Sequence, residues 1–267
     1  MKSQLFPVLG ILTLLVLFSC EKGKTTDPEA GKNVSSVTYT SATSDYKNEL
    51  SFEYDTQGRI VKIILGLPSQ TVTTSVEYDN GKVTERTVSS MDDSDFYTES
   101  VYTMDNNGRA VSCDITTVDD ISGEDMAIGS IDFSYDGENH LTKISSADSD
   151  FGTVDIFITW NDGNITLMES NLMDEVMSVS SRTYGQIPND ANIDLSSVIT
   201  SSNPADQSYF MLLGLVGERN ADLTESEDID GTTYIYSYSF DDSGRVVKAE
   251  IRRDTLLEAT YEITYAE

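Results

Sequence analysis

The 267-residue sequence has few of the residue types on which enzymes and metal sites most often depend. It contains one histidine, two cysteines and one tryptophan. One histidine and one free thiol cannot supply the usual ligand set of a zinc site. No nucleophile elbow accompanies His140, which lies in a hairpin turn and is interpreted as an exposed turn residue. We therefore expect no catalytic residue, no cofactor and no metal set of a familiar kind.

Basic residues are also scarce. The chain has 17 Lys and Arg against 46 Asp and Glu, which gives a formal net charge of −29. Such a chain repels nucleic acid and anionic lipid headgroups, so neither is an expected partner. The acidic residues are spread along the chain, which is typical of a solvated surface.

Long hydrophobic runs are absent except near the start, where one extends from Leu5 to Phe18. This run is shorter than the roughly 20 residues of a membrane-spanning helix, but it suits a signal peptide. Its ending, Leu-Phe-Ser-Cys, resembles a bacterial lipoprotein signal, which implies cleavage before Cys20 and acylation of its thiol. The alternative is an ordinary secretory signal with an incidental cysteine. We expect a signal peptide at 1–19 and a lipidated Cys20 with a polar, flexible tether at 20–33.

Cys113 is then the one remaining thiol, so no disulfide can form within the chain. It alternates in phase with Val111 and Ile115 in a β-branched stretch. This pattern favours a buried, inert strand residue over a reactive nucleophile.

A short pattern recurs along the chain, as "FEYDTQGRIVKI" (52–63), "FSYDGENHLTKI" (133–144) and "YSFDDSGRVVKAEI" (238–251). Apolar residues alternate with polar ones, then Asp and Gly mark a turn, and a β-branched stretch follows; each copy predicts a β-hairpin. Shorter or altered copies carry Asn-Gly, Asp-Gly or a longer turn. The turn positions that require a positive φ are Gly58, Gly81, Gly108, Asn139, Gly163 and Gly244.

The number of residues across each turn predicts which side chains face each other in these hairpins. An even number of residues must separate two that lie opposite on one face. The spacing predicts these opposite pairs: Tyr54 with Val61, Met104 with Val111, Tyr135 with Thr142, Phe240 with Val247, Tyr78 with Val83, and Trp160 with Ile165.

The repeats predict an all-β domain at 34–267. Strands of about ten residues run from about Val37 to Ser181 and resume at Thr232, which gives an antiparallel up-and-down meander of about 14 strands. So large a meander is expected to curl into a barrel-like fold. The stretch 203–217 predicts one buried helix that caps or plugs the interior, and 194–199 predicts a further short turn of helix.

The Tyr-Asp-x-x-Gly-Arg pattern, clear at 54–60 and partly kept at 104–110 and 240–246, resembles the YD-repeat shells, although this chain is short for such a shell. It more closely resembles a family of uncharacterised bacterial lipoproteins described as a domain of unknown function with a porin-like fold. That resemblance implies an antiparallel barrel-like fold and brings no catalytic residues.

Two kinds of side-chain cluster are candidates for ligand binding. Tyr234, Tyr236 and Tyr238 lie on one strand face with Phe240, where they form either a stacking platform for sugars or part of the core. Acidic stretches at 92–95, 148–152 and 225–231 offer carboxylate oxygens to calcium, although acidic residues are also common in turns.

The leading hypothesis is a non-enzymatic cell-envelope lipoprotein that is anchored through Cys20 to the outer membrane and binds a glycan or an apolar small ligand. The alternatives are a glycan-active hydrolase that uses a carboxylate pair and a membrane-spanning porin. A lipid anchor is redundant for a barrel already in the membrane, which disfavours the porin. Protein partners and the side of the membrane that the domain faces stay open.

Overall fold

The computed structural model describes residues 33–90, 96–119, 121–148, 152–173, 175–200 and 209–266. These residues form β-strands throughout, with two short helices between the twelfth and thirteenth strands. The strands are β1 (Val34–Ser41), β2 (Lys47–Tyr54), β3 (Ile60–Gly66), β4 (Thr71–Asp79), β5 (Lys82–Ser89), β6 (Phe96–Met104), β7 (Ala110–Asp119), β8 (Asp125–Tyr135), β9 (Leu141–Asp148), β10 (Gly152–Asn161), β11 (Asn164–Leu172), β12 (Glu175–Pro188), β13 (Asp222–Ile229), β14 (Thr232–Phe240), β15 (Val246–Arg253) and β16 (Leu256–Tyr265). The helices are α1 (Leu195–Thr200) and α2 (Tyr209–Leu212).

The strands form one closed antiparallel barrel. Each strand pairs with its neighbours in sequence, and β1 closes the barrel against β16. Closure leaves no strand edge with unpaired backbone groups. The predicted up-and-down barrel is confirmed, with 16 strands where about 14 were expected.

Strand β13 accounts for part of that difference, because it lies in a stretch to which the sequence analysis assigned no strand. Its sequence, DLTESEDI, is largely polar. Nevertheless Leu223, Thr224 and Glu227 are all buried. A strand whose inward positions include a carboxylate does not show the apolar alternation by which strands are recognised.

The two ends of the barrel differ. The turns that follow the even-numbered strands lie at one end, together with Val34, Tyr265 and the described parts, 189–200 and 209–221, of the long segment between β12 and β13. We call this the plug end. The turns that follow the odd-numbered strands lie at the other end, which we call the open end; there the first residues of β8 are exposed. All the Asp-x-x-Gly-type turns of the repeat are thus at the plug end.

The register at the four longer repeat turns differs by one residue from the prediction. Tyr54 pairs with Ile60 and not with Val61, because the strand pair contains a β-bulge beside Tyr54. A tight turn closed by the Asp55 N–H to Arg59 carbonyl bond, 2.9 Å long, takes fewer residues than expected. The same correction applies to Met104 with Ala110, Tyr135 with Leu141, and Phe240 with Val246. The predicted pairs Tyr78 with Val83 and Trp160 with Ile165 are confirmed.

The barrel interior is apolar and the outward face is polar. In β2, the buried Leu50 and Phe52 alternate with the exposed Glu49 and Glu53. On the same outward face, the ammonium of Lys62 lies 3.0 Å from the Glu53 carboxylate. Burial of the inward side chains is the main stabilising contribution to the fold.

Helix α1 lies among buried side chains at the plug end. Asp194 caps it, because its Oδ1 accepts the Ser197 N–H at 3.1 Å. The helix side chains Leu195, Val198 and Ile199 are all buried and pack with residues of β1–β3 and β13–β16. The short helical turn expected at 194–199 is therefore present.

The expected helix at 203–217 ends earlier than Gly217. Its first part, 203–208, lies outside the described residues. The described part is helical only in α2, because Gly214 takes a φ of 67° and closes the helix. The N–H of Leu215 then bonds to the Phe210 carbonyl at 3.0 Å, the pattern of a glycine-terminated helix.

Residues 210–216, which include most of α2, lie mainly in the half of the barrel interior that is lined by β4–β11. Phe210, Leu215 and Val216 pack with residues of β4–β11. Leu212 packs instead with α1 and with residues of β1–β3 and β13–β16. Leu213 is partly buried and contacts both groups. The buried side chains of the segment are Phe210, Leu212, Leu215 and Val216.

Candidate functional site

At the plug end, a set of aromatic side chains ties neighbouring strands together. Each lies on an even-numbered strand and donates a hydrogen bond to a backbone carbonyl of the preceding odd-numbered strand. We call these seven residues the clamp aromatics. The donor and acceptor pairs, 2.6 to 3.0 Å apart, are Tyr54 to Val34, Tyr78 to Ile60, Tyr135 to Ala110, Trp160 to Leu141, Tyr184 to Ile165, Tyr238 to Thr224 and Tyr265 to Val246.

The arginine of the repeat stacks on the next clamp aromatic. The Arg59 guanidinium lies 4.3 Å from the centroid of the Tyr78 ring, and Arg109 and Arg245 stack likewise on Tyr135 and Tyr265. Burial raises the pKa of Tyr78 to about 12, so the phenol stays protonated and can donate its hydrogen bond. The repeated motif is therefore a structural device of the wall.

His140 takes the place of the arginine in the copy at 133–144. Its ring stacks on Trp160 with the centroids 4.7 Å apart, and its side chain is 14% exposed. The interpretation of His140 as an exposed turn residue is therefore wrong, although the residue does lie in the turn. Its Nδ1 is 3.1 Å from the Asp136 carboxylate. The arginines of the other copies bond in the same way to their aspartates, with Nε to Oδ2 distances of 2.8 to 2.9 Å.

The open end contains a cavity of about 200 Å³ between β1 and β13–β16. Three tyrosine side chains and two carboxylates contribute to its wall. Aliphatic and hydroxyl side chains complete it. The lining residues are Tyr39, Ser41, Thr43, Glu227, Ile229, Tyr234, Tyr236, Ile251, Glu258 and Ala259.

Glu227 is held at the base of this cavity by three partners. Its Oε1 accepts hydrogen bonds from Ser180 at 2.6 Å and from Arg182 Nε at 2.8 Å, and its Oε2 accepts the Tyr236 hydroxyl at 2.9 Å. Burial, and next the Glu227 charge, raise the pKa of Tyr236. Although burial acts in the other direction, the Glu227 carboxylate raises the pKa of Arg182. Three hydrogen bonds thus orient the carboxylate, and Arg182 compensates its charge.

Glu258 reaches the cavity because of a β-bulge. Ile251 pairs with Ala259, whereas Arg252 pairs with Leu257, so Glu258 is the extra residue of β16. A bulge re-aims a side chain that would otherwise follow the strand alternation. The Arg253 guanidinium lies 2.8 Å from the Glu258 carboxylate, so this charge is also compensated.

Of the three tyrosines nominated from the sequence, the structure places Tyr234 and Tyr236 in the cavity wall. Tyr238 is a clamp aromatic, with its hydroxyl 2.6 Å from the Thr224 carbonyl. Phe240 is 47% exposed and lies outside the cavity. The sequence signal for these two residues is the tyrosine at every second position of β14.

The other eight lining residues were not predicted from the sequence to line a cavity, and the most informative of these are Tyr39, Glu227 and Glu258. Tyr39 stands on the first strand, about two hundred residues before Tyr236, and only closure of the barrel brings the two together. Glu227 belongs to an acidic stretch that resembles a solvated turn. The bulge that aims Glu258 has no sequence signature in a single chain.

A second buried polar group lies on β5–β7. Burial raises the pKa of Glu85 to about 7, and that of Cys113 to about 12. The Tyr102 hydroxyl interacts with both side chains. Cys113 is buried and free, in agreement with an inert strand thiol and not with an activated nucleophile.

The acidic stretches offer no assembled metal site among the described residues. The acidic stretch 92–95 and residues 149–151 of the stretch 148–152 lie outside the described ranges. In 225–231, the Asp228 carboxylate bonds to the Gly231 N–H and to Thr233, and Asp230 bonds to Ser178 and the Val179 N–H. Asp228 thus stabilises its own turn, and Asp230 ties that turn to β12. Among the helices of the described ranges, none is both long and apolar enough to span a membrane.

Comparisons with known proteins identify relatives of this barrel. The sequence profile of a domain of unknown function (DUF4595) with porin-like fold matches residues 82–248. A porin-like protein from Bacteroides uniformis has a similar crystal structure, with a TM-score of 0.59 and 17% sequence identity over 87% of this chain and 97% of that one. A porin-like protein from Bacteroides vulgatus gives a TM-score of 0.61 and 16% identity over 87% and 98% of the two chains. No curated protein matches the sequence.

Proposed function

The chain belongs to the family of domains of unknown function with a porin-like fold, and we propose that it is a non-enzymatic binding module of the cell envelope. The ligand is a small neutral molecule with an apolar face and several hydroxyl groups, such as a single sugar ring. It binds in the open-end cavity. The observation that carries this proposal is a cavity in which tyrosine rings and hydrogen-bonding carboxylates face one another.

The charges around the cavity support a neutral ligand. Glu227 is paired with Arg182, and Glu258 with Arg253. A cationic ligand would therefore find no uncompensated carboxylate there, and the net charge of −29 disfavours an anion. Tyrosine rings stack on the apolar face of a sugar, while oxygen acceptors orient its hydroxyl groups.

The cavity volume supports a small ligand. About 200 Å³ is the volume of roughly six or seven water molecules in the liquid, and it lies below the roughly 300–1,000 Å³ of a typical drug-sized site. A single ring with its substituents fits this volume, whereas a chain of several sugars would have to extend beyond the open end.

The polar outward face supports attachment by a tether over insertion of the barrel in a bilayer. Ion pairs stand on that face in separate parts of the wall, including Lys62 with Glu53, Lys143 with Asp155 and Lys248 with Glu250. Charges on a lipid-facing strand are destabilising near the bilayer midplane. Acylation of Cys20 would instead hold the barrel at a membrane, most simply the outer membrane, and β1 begins at the plug end, so the cavity would face away from it.

The proposal is tested by calorimetric titration of the protein with a panel of neutral monosaccharides. Replacing Tyr234→Ala should weaken binding by about tenfold, which corresponds to the loss of roughly 1.4 kcal/mol of ring stacking. Ile235→Ala is the matched control, because Ile235 is the next residue, faces outward and is 47% exposed. Equal binding by the two variants would remove the cavity as the site.

A carboxylate pair in the same cavity favours a second candidate, a glycan-active hydrolase. Such an enzyme needs one carboxyl group free to carry a proton, whereas Glu227 and Glu258 each bind an arginine. This engagement makes binding the better-supported function. Release of reducing sugar by the parent and not by Glu258→Gln would reverse the order.

A further inference from the structure

Large apolar side chains are exposed mainly at one place on the barrel. Twelve are exposed among the described residues, and eight of these lie at the open end. Seven of the eight follow the half of the rim formed by β5–β12, away from the cavity. We call these seven the apolar rim: Val88, Phe96, Ile121, Met126, Met173, Val176 and Met177.

The rim side chains are highly exposed. Ile121 is 78% exposed, Met173 70%, Met126 63% and Met177 61%. Single exposed apolar residues are ordinary, but a group that follows one edge indicates a surface that is covered in use. Methionine is suited to such a surface, because its flexible and polarisable side chain adapts to different partners.

Acidic side chains alternate with the apolar ones along the same edge. Phe96 pairs across β6 and β7 with Asp119, and Val118 pairs across β7 and β8 with Asp125. Met126 follows Asp125 directly. Further acidic residues of the described rim are Glu124 and Glu175.

The described residues of this half of the rim include four acidic side chains, those of Asp119, Glu124, Asp125 and Glu175. The described parts of its turns, 121–124 and 173, contain no Lys or Arg. The plug-end turns differ, because Arg59, Arg109 and Arg245 stand in them beside their aspartates. In the described part of these rim turns, acidic side chains therefore stand without a lysine or arginine in the same turn, unlike the aspartates of the repeat at the plug end.

We propose that the apolar rim docks a basic amphipathic polypeptide segment of a partner protein. The apolar side of that segment covers the methionine, valine, isoleucine and phenylalanine side chains, and its lysines or arginines meet the acidic residues between them. Charge complementarity of this kind accelerates association and selects the partner.

Charge also disfavours the other occupants. A second copy of the chain would bring an equally acidic rim against the first, and like charges brought together at an interface are costly. An anionic membrane surface would be repelled for the same reason. The rim is separate from the cavity between β13 and β1, so this inference goes beyond the proposed ligand binding and does not depend on it.

The experiment uses the purified full-length protein and a fluorescent amphipathic peptide of leucine and lysine, with binding followed by anisotropy. We expect saturable binding that weakens as salt is added. The double variant Met126→Ser and Met177→Ser should weaken it at least about fivefold, since both side chains are exposed and their loss leaves the fold intact. Phe240→Ser, at the plug end and 47% exposed, is the control and should bind as the parent does.

Three outcomes would overturn the proposal. Equal binding of a peptide with glutamate in place of lysine would remove the charge argument. Equal binding by the double variant and the parent would place the peptide elsewhere. A dimer of the parent in sedimentation, absent from the double variant, would make a second copy the occupant.

Discussion

Each residue of the repeated turn has a separate physical task. Asp55 Oδ1 accepts the N–H groups of Gln57 and Arg59, and its Oδ2 accepts Arg59 Nε. Although slight burial acts in the other direction, these hydrogen bonds lower the pKa of Asp55. The arginine then covers Tyr78, which bonds to the strand before it. The motif thus couples one hairpin to the next.

The glycine of this turn has a backbone conformation that few other residues adopt. Gly58 has a φ of 76°, and Asn139 has a φ of 77° at the equivalent position. A β-branched side chain is strained there, so Gly58→Val should lower the free energy of unfolding by roughly 1 to 3 kcal/mol. Gly58→Asn is the control and should cost much less. Equal denaturant midpoints for the Val variant and the parent would contradict the assignment.

A buried carboxyl group gives a pH-dependent prediction. Glu85 is 4% exposed, and its Oε1 has no hydrogen-bond partner in the part of the chain that the structure describes. Burial raises its pKa from 4.5 to about 7. The folded protein therefore favours the protonated form, and the destabilisation is absent below about pH 4.5, grows as the pH rises, and is complete above about pH 7.

Glu85→Gln should therefore stabilise the protein by about 3 kcal/mol at pH 8 and have little effect at pH 4. The measurement compares denaturant midpoints of the variant and the parent at both pH values. Glu77→Gln is the control, because Glu77 is exposed on the outward face of β4. The same gain at pH 4 as at pH 8 would show that the charge of Glu85 is not the cause.

Among the elements, the plug segment differs most from the rest of the barrel. Buried polar bonds hold it to the wall as well as apolar contacts. Asn220 Oδ1 accepts the Ile165 N–H at 2.8 Å, and the Asp194 carboxylate accepts hydrogen bonds from Asn189 and Asn220. A satisfied polar network inside a core specifies one arrangement of the segment.

Placing a charge in the plug should release it. Leu215 is 4% exposed and packs with residues of β4–β11. We expect Leu215→Asp to cost several kcal/mol, because burial of a carboxylate without a cation is relieved only in part by protonation. The measurements are cooperativity of unfolding and binding of an apolar dye. Ile235→Asp, on the outward face, is the control and should leave both measurements unchanged. If Leu215→Asp also leaves them unchanged, the fold does not depend on the packing of this segment.

The elements also show where the sequence suffices and where it does not. Asp, Gly and Asn act locally, so the hairpins and their order follow from short stretches of chain. The bulge that moves Val61 out of line with Tyr54 depends on the strand pair, and a polar strand such as β13 is recognised only once its burial is known. In the cavity, Tyr234 follows from alternation, whereas Tyr39 and Glu258 depend on closure and on a bulge.

For the whole molecule, the proposed attachment to a membrane through Cys20 gives a prediction. Cys20→Ser should abolish acylation and leave the protein unprocessed or released from the membrane. The measurement is metabolic labelling with a fatty acid, followed by separation of membrane and free fractions. Cys113→Ser is the control, since that thiol is buried in the barrel. Unchanged labelling of the Cys20 variant would contradict the lipoprotein assignment.

Closure of the barrel between its first and last strands sets an order for folding. Ser36 on β1 meets Thr264 on β16, 228 residues further along the chain. During synthesis, β1 must therefore remain without its second neighbour until the last strand has emerged. Contacts of such long sequence separation form slowly, and an unpaired strand edge is a template for aggregation. We expect newly synthesised chains to need protection at β1 for longer than at any strand that pairs only with its immediate neighbours.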